Sequence, residues 1–271
     1  MMKTVNLLLR AAAMVVAAHV GVVGAVEGPV LLFGAGSLRA VMTEIGQAYA
    51  QRTGTAVKGD FGASGMMRER IEKGDPAEVF ASADMGHPRT LAAAGNASPV
   101  VLFARNRLCA LARPGIKVGT DTLLERMLDP AVKLGTSTPK SDPSGDYTWV
   151  MFEKAEKLQP GAYKRLDAKA VKLVGGPDSP PPPKDRSAYG YYLENGTADI
   201  FLTYCTNVPP TLREVPSLQT VQLPPALAVS AEYGLTVLKG ARPEAARFAE
   251  FVMSADAQQI LARHGFASPA P

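Results

Sequence analysis

Short apolar runs and amphipathic stretches follow one another along most of the chain. Runs of strand length occur at 29–33, 55–61, 77–82, 99–104, 107–112, 132–135, 171–174, 199–203, 218–222 and 228–238. Between them lie stretches with apolar residues at helical spacing, for example Leu38, Val41, Met42, Ile45 and Tyr49. Strands that alternate with helices predict an α/β fold in which helices cover both faces of a sheet.

Two serines stand between a predicted strand and a predicted helix. Ser37 follows the run Phe-Gly-Ala-Gly, and Ser64 follows Phe-Gly-Ala. We expect each serine to cap a helix, where its hydroxyl lies beside unpaired amides and the positive end of the helix dipole. A plain cap is the simpler interpretation of either serine alone. The repeat among glycines and alanines, which leave room for a ligand, favours a site for a small oxyanion.

The first 25 residues have the pattern of a secretory signal peptide. Lys3 and Arg10 form a positive start, 11–23 is apolar, and small residues lead to a cleavage site expected after Ala25. The apolar run is shorter than the roughly 20 residues of a membrane span. We therefore expect an exported, periplasmic protein whose mature chain does not insert into a membrane.

The charge balance excludes a polycation. Two of the 29 basic residues belong to the predicted signal, so 27 remain against 25 acidic residues. They are scattered, with no basic run and no aromatic interleaving, which argues against nucleic acid as a partner.

The chain has two cysteines, Cys109 and Cys205. An oxidising compartment favours a disulfide between them, although two buried free thiols remain an alternative. Neither cysteine has a histidine or another cysteine at metal-ligand spacing, so zinc is not expected. We expect no cofactor.

Pairs of strands crowd together at 99–112 and at 218–238, and we interpret them as two crossings between lobes. Lobe one then comprises 26–105 and 227–271, lobe two comprises 106–226, and a cleft lies between them. In open α/β sheets ligands bind at the carboxyl ends of strands, where Ser37 and Ser64 are expected.

An ordered set of motifs resembles the periplasmic molybdate-binding proteins, the solute receptors of ABC importers. The motifs are Phe-Gly-Ala-Gly-Ser-Leu at 33–38, Phe-Gly-Ala-Ser-Gly at 61–65, Gly-Asp-Pro-Ala-Glu-Val-Phe-Ala-Ser-Ala-Asp at 74–84, Pro-Ser-Gly at 143–145, Ala-Asp-Ile-Phe-Leu-Thr-Tyr at 198–204 and His-Gly-Phe at 264–266. The resemblance spans nearly the whole mature chain. It implies a two-lobed periplasmic binding protein fold, each lobe a mixed sheet flanked by helices, with two hinge crossings.

The resemblance also implies the ligand and its contacts. A tetrahedral dianion, molybdate or tungstate, would be held as an oxyanion, with no side chain on the metal, and passed to an ABC permease by a monomeric receptor. The implied contacts are Ser37, Ser64, the amide of Ser144 and the hydroxyl of Tyr204. A further amide falls on Arg186 or Ser187, where the family has a small apolar residue.

This departure keeps a second ligand class open. A guanidinium at Arg186 would suit a carboxylate or a more highly charged anion, unless it is simply an exposed loop arginine beside the stiff segment 175–183.

An exported serine hydrolase is a weaker alternative. The Gly-x-Ser-x-Gly motif is absent, and His87 is the only histidine of the mature chain outside the C-terminal helix. We therefore expect a binding protein without enzymatic activity.

Overall fold

The computed structural model describes residues 28–269, so the predicted signal peptide lies outside the described residues. The strands are β1 Val30–Ala35, β2 Val57–Gly62, β3 Val79–Ser82, β4 Val101–Ala112, β5 Leu134–Ser137, β6 Ala170–Val174, β7 Ile200–Tyr204, β8 Gln219–Gln222 and β9 Ser230–Val237. The helices are α1 Arg39–Thr53, α2 Ser64–Glu72, α3 Gly86–Ala93, α4 Leu123–Leu128, α5 Pro143–Leu158, α6 Ala162–Lys169, α7 Ala188–Glu194, α8 Val208–Glu214, α9 Pro243–Val252 and α10 Ala255–Arg263. Within residues 28–269 no helix is both long and apolar enough to cross a membrane.

The described strands form one mixed sheet in the order β2-β1-β3-β9-β4-β7-β5-β6, with β8 paired to β4. Strands β2, β1 and β3 run parallel at one end, and β6, β5 and β7 run parallel at the other. Strands β4 and β9 join the two parallel groups through antiparallel pairing. This architecture confirms the predicted α/β fold with a mixed, helix-flanked sheet in each half.

Strand β4 corrects one detail of the sequence analysis. The predicted strands 99–104 and 107–112 are a single strand with an irregularity between Leu102 and Ala104. It pairs with β9 as far as Arg107 and with β7 from Leu108 onward. The polar residues 105–107 resemble a loop in sequence, but the ladder of hydrogen bonds with β9 keeps their backbone extended. The lobe boundaries at 105/106 and 226/227 remain a prediction.

Helix α1 shows how the apolar pattern builds one half of the molecule. The predicted positions Val41, Met42, Ile45 and Tyr49 are all buried, on the face turned to the core. Burying a side chain of this size contributes about 1.5–3 kcal/mol. The helix ends where Gly54 adopts a left-handed conformation with φ 77°.

The two cysteines are joined, which confirms the predicted disulfide between Cys109 and Cys205. Cys109 lies in β4, and Cys205 begins the 3₁₀ turn that directly follows β7. The disulfide therefore fixes the turn just beyond Tyr204, the last residue of β7, to the strand that joins the two halves of the sheet.

The predicted capping roles of Ser37 and Ser64 are wrong, and Ser144 is not a cap either. Ser37 lies inside a 3₁₀ turn, Gly36–Leu38, and makes no capping bond. Ser64 is the first residue of α2, after the N-cap Ala63. Ser144 lies in the first turn of α5, whose N-cap is Asp142. In each case the helix begins earlier or later than the periodicity indicates, so the hydroxyl is available for other partners.

Candidate functional site

A cleft of about 1300 Å³ opens at the carboxyl ends of the parallel strands. Strands β1, β2 and β3 end beside one another on one side, and β5 and β7 end on the other. The residues predicted for ligand binding all line this cleft: Ser37, Ser64, Ser144, Arg186, Ser187 and Tyr204. The structure therefore brings together residues that are up to 167 positions apart in the chain.

A chain of hydrogen bonds leads to Ser37. The Asn106 side-chain oxygen accepts from the Arg107 amide at 2.8 Å, so Asn106 Nδ2 must be the donor to the Tyr233 hydroxyl at 3.1 Å. The Tyr233 hydroxyl lies 3.0 Å from Ser37 Oγ, and either oxygen can be the donor of this bond. When Tyr233 donates, the proton of Ser37 is left to donate into the cleft.

Ser64 is oriented in a similar way. Its hydroxyl oxygen accepts from the Ala83 amide at 3.1 Å, just after the end of β3. Ser64 is fully buried. Since this bond uses an acceptor position of the oxygen, the hydroxyl proton stays available for a ligand.

Ser144 supplies a hydroxyl that lacks a protein partner. Its Oγ is buried and makes no hydrogen bond to any residue within 28–269. Its amide donates to Asp142 Oδ1 at 3.0 Å, which satisfies the predicted backbone donor within the protein. Hence Ser144 would contact a ligand through its hydroxyl, and not through the amide that the family resemblance implies. A buried, unsatisfied hydroxyl in a cleft is costly unless a ligand or water completes it.

Tyr204 lies at the end of β7 and is 2% exposed. Its hydroxyl donates to the Ala83 carbonyl at a long distance of 3.5 Å. Burial, and then the neighbouring Tyr233, raise the pKa of Tyr204 well above its ordinary value. The phenol is therefore neutral near pH 7 and can donate to an anion.

Arg186 lines the cleft, but its guanidinium is already paired. It forms ion pairs with Glu194 at 2.8 Å and with Glu214. Hydrogen bonds to Glu194 and then Glu214 raise the pKa of Arg186. Ser187 is similarly engaged, because its amide donates to Glu214 at 2.7 Å and its hydroxyl lies 3.0 Å from Thr211 Oγ1. These contacts hold the start of α7 to α8.

Hydrogen bonds connect the two sides of the cleft. The Gly65 amide donates to the Ser141 carbonyl at 2.8 Å, and the Glu232 amide donates to the Tyr147 hydroxyl at 3.2 Å. The Tyr204 bond described above is another such contact. A Cβ on Gly65 would lie 2.7 Å from the Lys140 carbonyl oxygen, so only glycine permits this approach.

Sequence reasoning missed Asp142, Asn106 and Tyr233. Asp142 lines the cleft directly before Pro143, and an aspartate before a proline is a recognisable helix-start signal. Asn106 and Tyr233 lie within strands; Tyr233 bonds Ser37 from 196 positions away, and Asn106 bonds Tyr233 from 127 positions away. No local pattern could have found these two.

Comparison with known proteins places the chain in a family. The family model described as bacterial extracellular solute-binding protein matches residues 30–267. The chain belongs to this family. It is 37% identical over 205 residues to an uncharacterised protein of Pasteurella multocida, covering 75% of this chain and 85% of that one. It is 27% identical over 264 residues to the molybdate-binding protein ModA of Mycobacterium tuberculosis, covering 89% of this chain and 85% of the relative.

Solved structures of solute-binding proteins share the fold. The periplasmic molybdate-binding protein of Azotobacter vinelandii matches with a TM-score of 0.70 and 19% identity, over 89% of this chain and 99% of that one. The sulfate-binding protein SubI of Mycobacterium tuberculosis matches with a TM-score of 0.73 and 20% identity, over 90% and 88%. At such identities the likeness shows the fold alone. This solute-binding protein thus has relatives and neighbours that are named for binding solutes.

Proposed function

We propose that this solute-binding protein captures a tetrahedral oxyanion in the cleft and delivers it to the permease of an ABC importer. The proposed ligands are molybdate and tungstate, and the proposed location is the periplasm, with a monomeric receptor released after cleavage near Ala25. The 27% identical molybdate-binding relative supports this ligand class.

One observation carries the proposal. Three serine hydroxyls line one cleft and can donate into it: Ser64 accepts from the Ala83 amide, Ser37 shares a hydrogen bond with Tyr233 that either oxygen can donate, and Ser144 Oγ has no partner among the described residues. Tyr204 adds a neutral phenol. An anion with several equivalent oxygens satisfies such a set of neutral donors. The protein needs no countercharge, since short hydrogen bonds strengthen when water is excluded.

The alternative ligand, a small carboxylate bound by Arg186, has less support. Its guanidinium would have to leave Glu194 and Glu214 before it could grip a ligand. Glu194, whose side chain is 55% exposed, and Glu214, whose side chain is 25% exposed, would then lose their partner.

The proposed function is tested with purified mature protein and a panel of anions. Thermal unfolding is measured with molybdate, tungstate, sulfate, phosphate and small carboxylates. A ligand that binds only the folded state stabilises it by about 2.7 kcal/mol at a hundredfold excess over Kd. Stabilisation by molybdate and tungstate supports the proposal, whereas stabilisation by carboxylates alone contradicts it.

A further inference from the structure

We propose that Asp142 couples oxyanion binding to proton uptake, so that a dianion occupies the cleft only when this carboxyl group is protonated. The inference rests on the proposed function and adds a regulation of the same site. It concerns the one carboxylate in the cleft that stands next to the unpartnered Ser144 hydroxyl.

Asp142 lines the cleft at the start of α5. Its Oδ1 caps α5 by accepting from the Ser144 amide. Its other side faces the loop after β6, where a Cβ on Gly175 would lie 2.5 Å from Asp142 Oδ2. Gly175 itself has φ 77° and lines the cleft. Protein thus contacts the carboxyl group on two sides, and Asp142 and Ser144 line the same cleft.

The titratable groups around Asp142 do not stabilise its negative charge. On its own helix the nearby charge is Asp146, a second carboxylate. From the other elements it faces the phenols Tyr189 of α7, Tyr204 of β7 and Tyr233 of β9, whose pKa values burial raises first and the Asp142 charge raises further. Burial raises the pKa of Asp142 to about 6, and hydrogen bonds from the Ser144 amide and the Ser137 side chain oppose this rise.

A dianion and an ionised carboxylate would repel each other strongly in this enclosed space. Molybdate carries no proton near neutral pH, so the missing proton has to come from solvent to the carboxyl group. A protonated Asp142 then becomes a donor that completes the ring of hydroxyls around the anion. Above the Asp142 pKa, the apparent affinity should fall about tenfold for each pH unit, because one proton is taken up with each ligand.

The test is calorimetric titration of molybdate into the wild-type protein and into Asp142→Asn, each in two buffers of different ionisation enthalpy. Asparagine caps a helix about as well as aspartate, so the start of α5 is kept. The wild type should take up about one proton per ligand at about pH 8 and almost none at about pH 5. The variant should take up none at either pH and should bind about a hundredfold more tightly than the wild type at about pH 8.

Asp146→Asn is the matched control. Asp146 lies in the same helical turn and its pKa is also raised by burial, but it accepts from the Lys140 amide and does not line the cleft. This variant should retain the proton uptake of the wild type. If proton uptake were lost in Asp146→Asn and kept in Asp142→Asn, Asp146 would be the group that takes up the proton, and the inference would be overturned.

The outcomes separate this inference from the proposed function. Molybdate binding with the same affinity from about pH 5 to pH 8, and without proton uptake, would overturn the role of Asp142 and leave the oxyanion receptor intact. Failure of wild type and Asp142→Asn to bind molybdate or tungstate at any pH would overturn both. Binding by Asp142→Asn, with no binding by the wild type at any pH, would overturn both the coupling and the proposed function, because the protonated wild type should then bind as well.

Discussion

Gly65→Ala should weaken ligand binding without unfolding the protein. The new Cβ would lie 2.7 Å from the Lys140 carbonyl oxygen, 2.8 Å from the Ser141 carbonyl oxygen and 3.0 Å from Ser141 Cα. These are backbone atoms that cannot rotate away. The two sides of the cleft must therefore separate, and the 2.8 Å bond from the Gly65 amide to Ser141 is stretched or lost.

The size of the effect follows from two contributions. Overpacking costs about 1–3 kcal/mol, and a lost hydrogen bond costs about 0.5–1.5 kcal/mol. Together they disfavour the closed arrangement by about 2–4 kcal/mol, which lowers the fraction of binding-competent protein and raises the apparent Kd by about 30- to 1000-fold. Separation of the two sides relieves the clash, so the melting temperature without ligand should change little.

The assay combines titration calorimetry with small-angle scattering. The wild type should show a smaller radius of gyration with saturating molybdate, because contacts come from both sides of the cleft. Gly65→Ala should keep the larger radius at the same ligand concentration. Gly119→Ala is the control, since nothing lies within 4 Å of its added Cβ and its φ of −139° suits any residue. A Kd for Gly65→Ala within about threefold of the wild type would refute the reasoning.

Three further predictions concern stability and the orientation of the donors. The double variant Cys109→Ala/Cys205→Ala removes a cross-link that spans 96 positions and should lower the free energy of unfolding by about 2–4 kcal/mol in urea titrations; an unchanged value would contradict this. Hydrogen bonds from Arg242 lower the pKa of Glu78 to about 2, so its contribution to stability is present above about pH 4.5 and is lost as the pH falls toward 2. Glu78→Gln should remove that part of the acid dependence, measured by unfolding at several pH values, and an identical acid profile would contradict it. Tyr233→Phe removes the hydroxyl that bonds Ser37 and should weaken molybdate binding about tenfold by calorimetry. Unchanged binding would show that the Tyr233–Ser37 hydrogen bond does not contribute to ligand binding.

The fold was predictable because its apolar positions recur with clear periods. The buried face of α1 and the burial of every residue of β3 and β7 follow from such patterns. The cysteine pair was predictable as well, since the chain contains only Cys109 and Cys205. The single long strand β4 was not, because polar residues in its middle are held extended by partners more than 90 positions away.

The sequence could predict which residues lie together in the cleft but not their hydrogen bonds. Ser37 and Ser64 follow strands and Tyr204 ends one, and parallel strands end at a common edge. Which partner each hydroxyl takes depends on distant residues: Tyr233 for Ser37 and the Ala83 amide for Ser64. The pairing of Arg186 with Glu214 is equally a product of tertiary structure.

The central claim is that neutral donors bind a tetrahedral oxyanion, and calorimetric titration of molybdate into wild type, Ser64→Ala and Arg186→Ala tests it most directly. Removing the buried Ser64 hydroxyl should weaken binding by about 1–3 kcal/mol, or about 5- to 150-fold. Arg186→Ala should bind nearly as the wild type does, because its guanidinium is committed to two carboxylates. Loss of binding in Arg186→Ala together with full binding in Ser64→Ala would contradict the account and point to an anion gripped by the guanidinium.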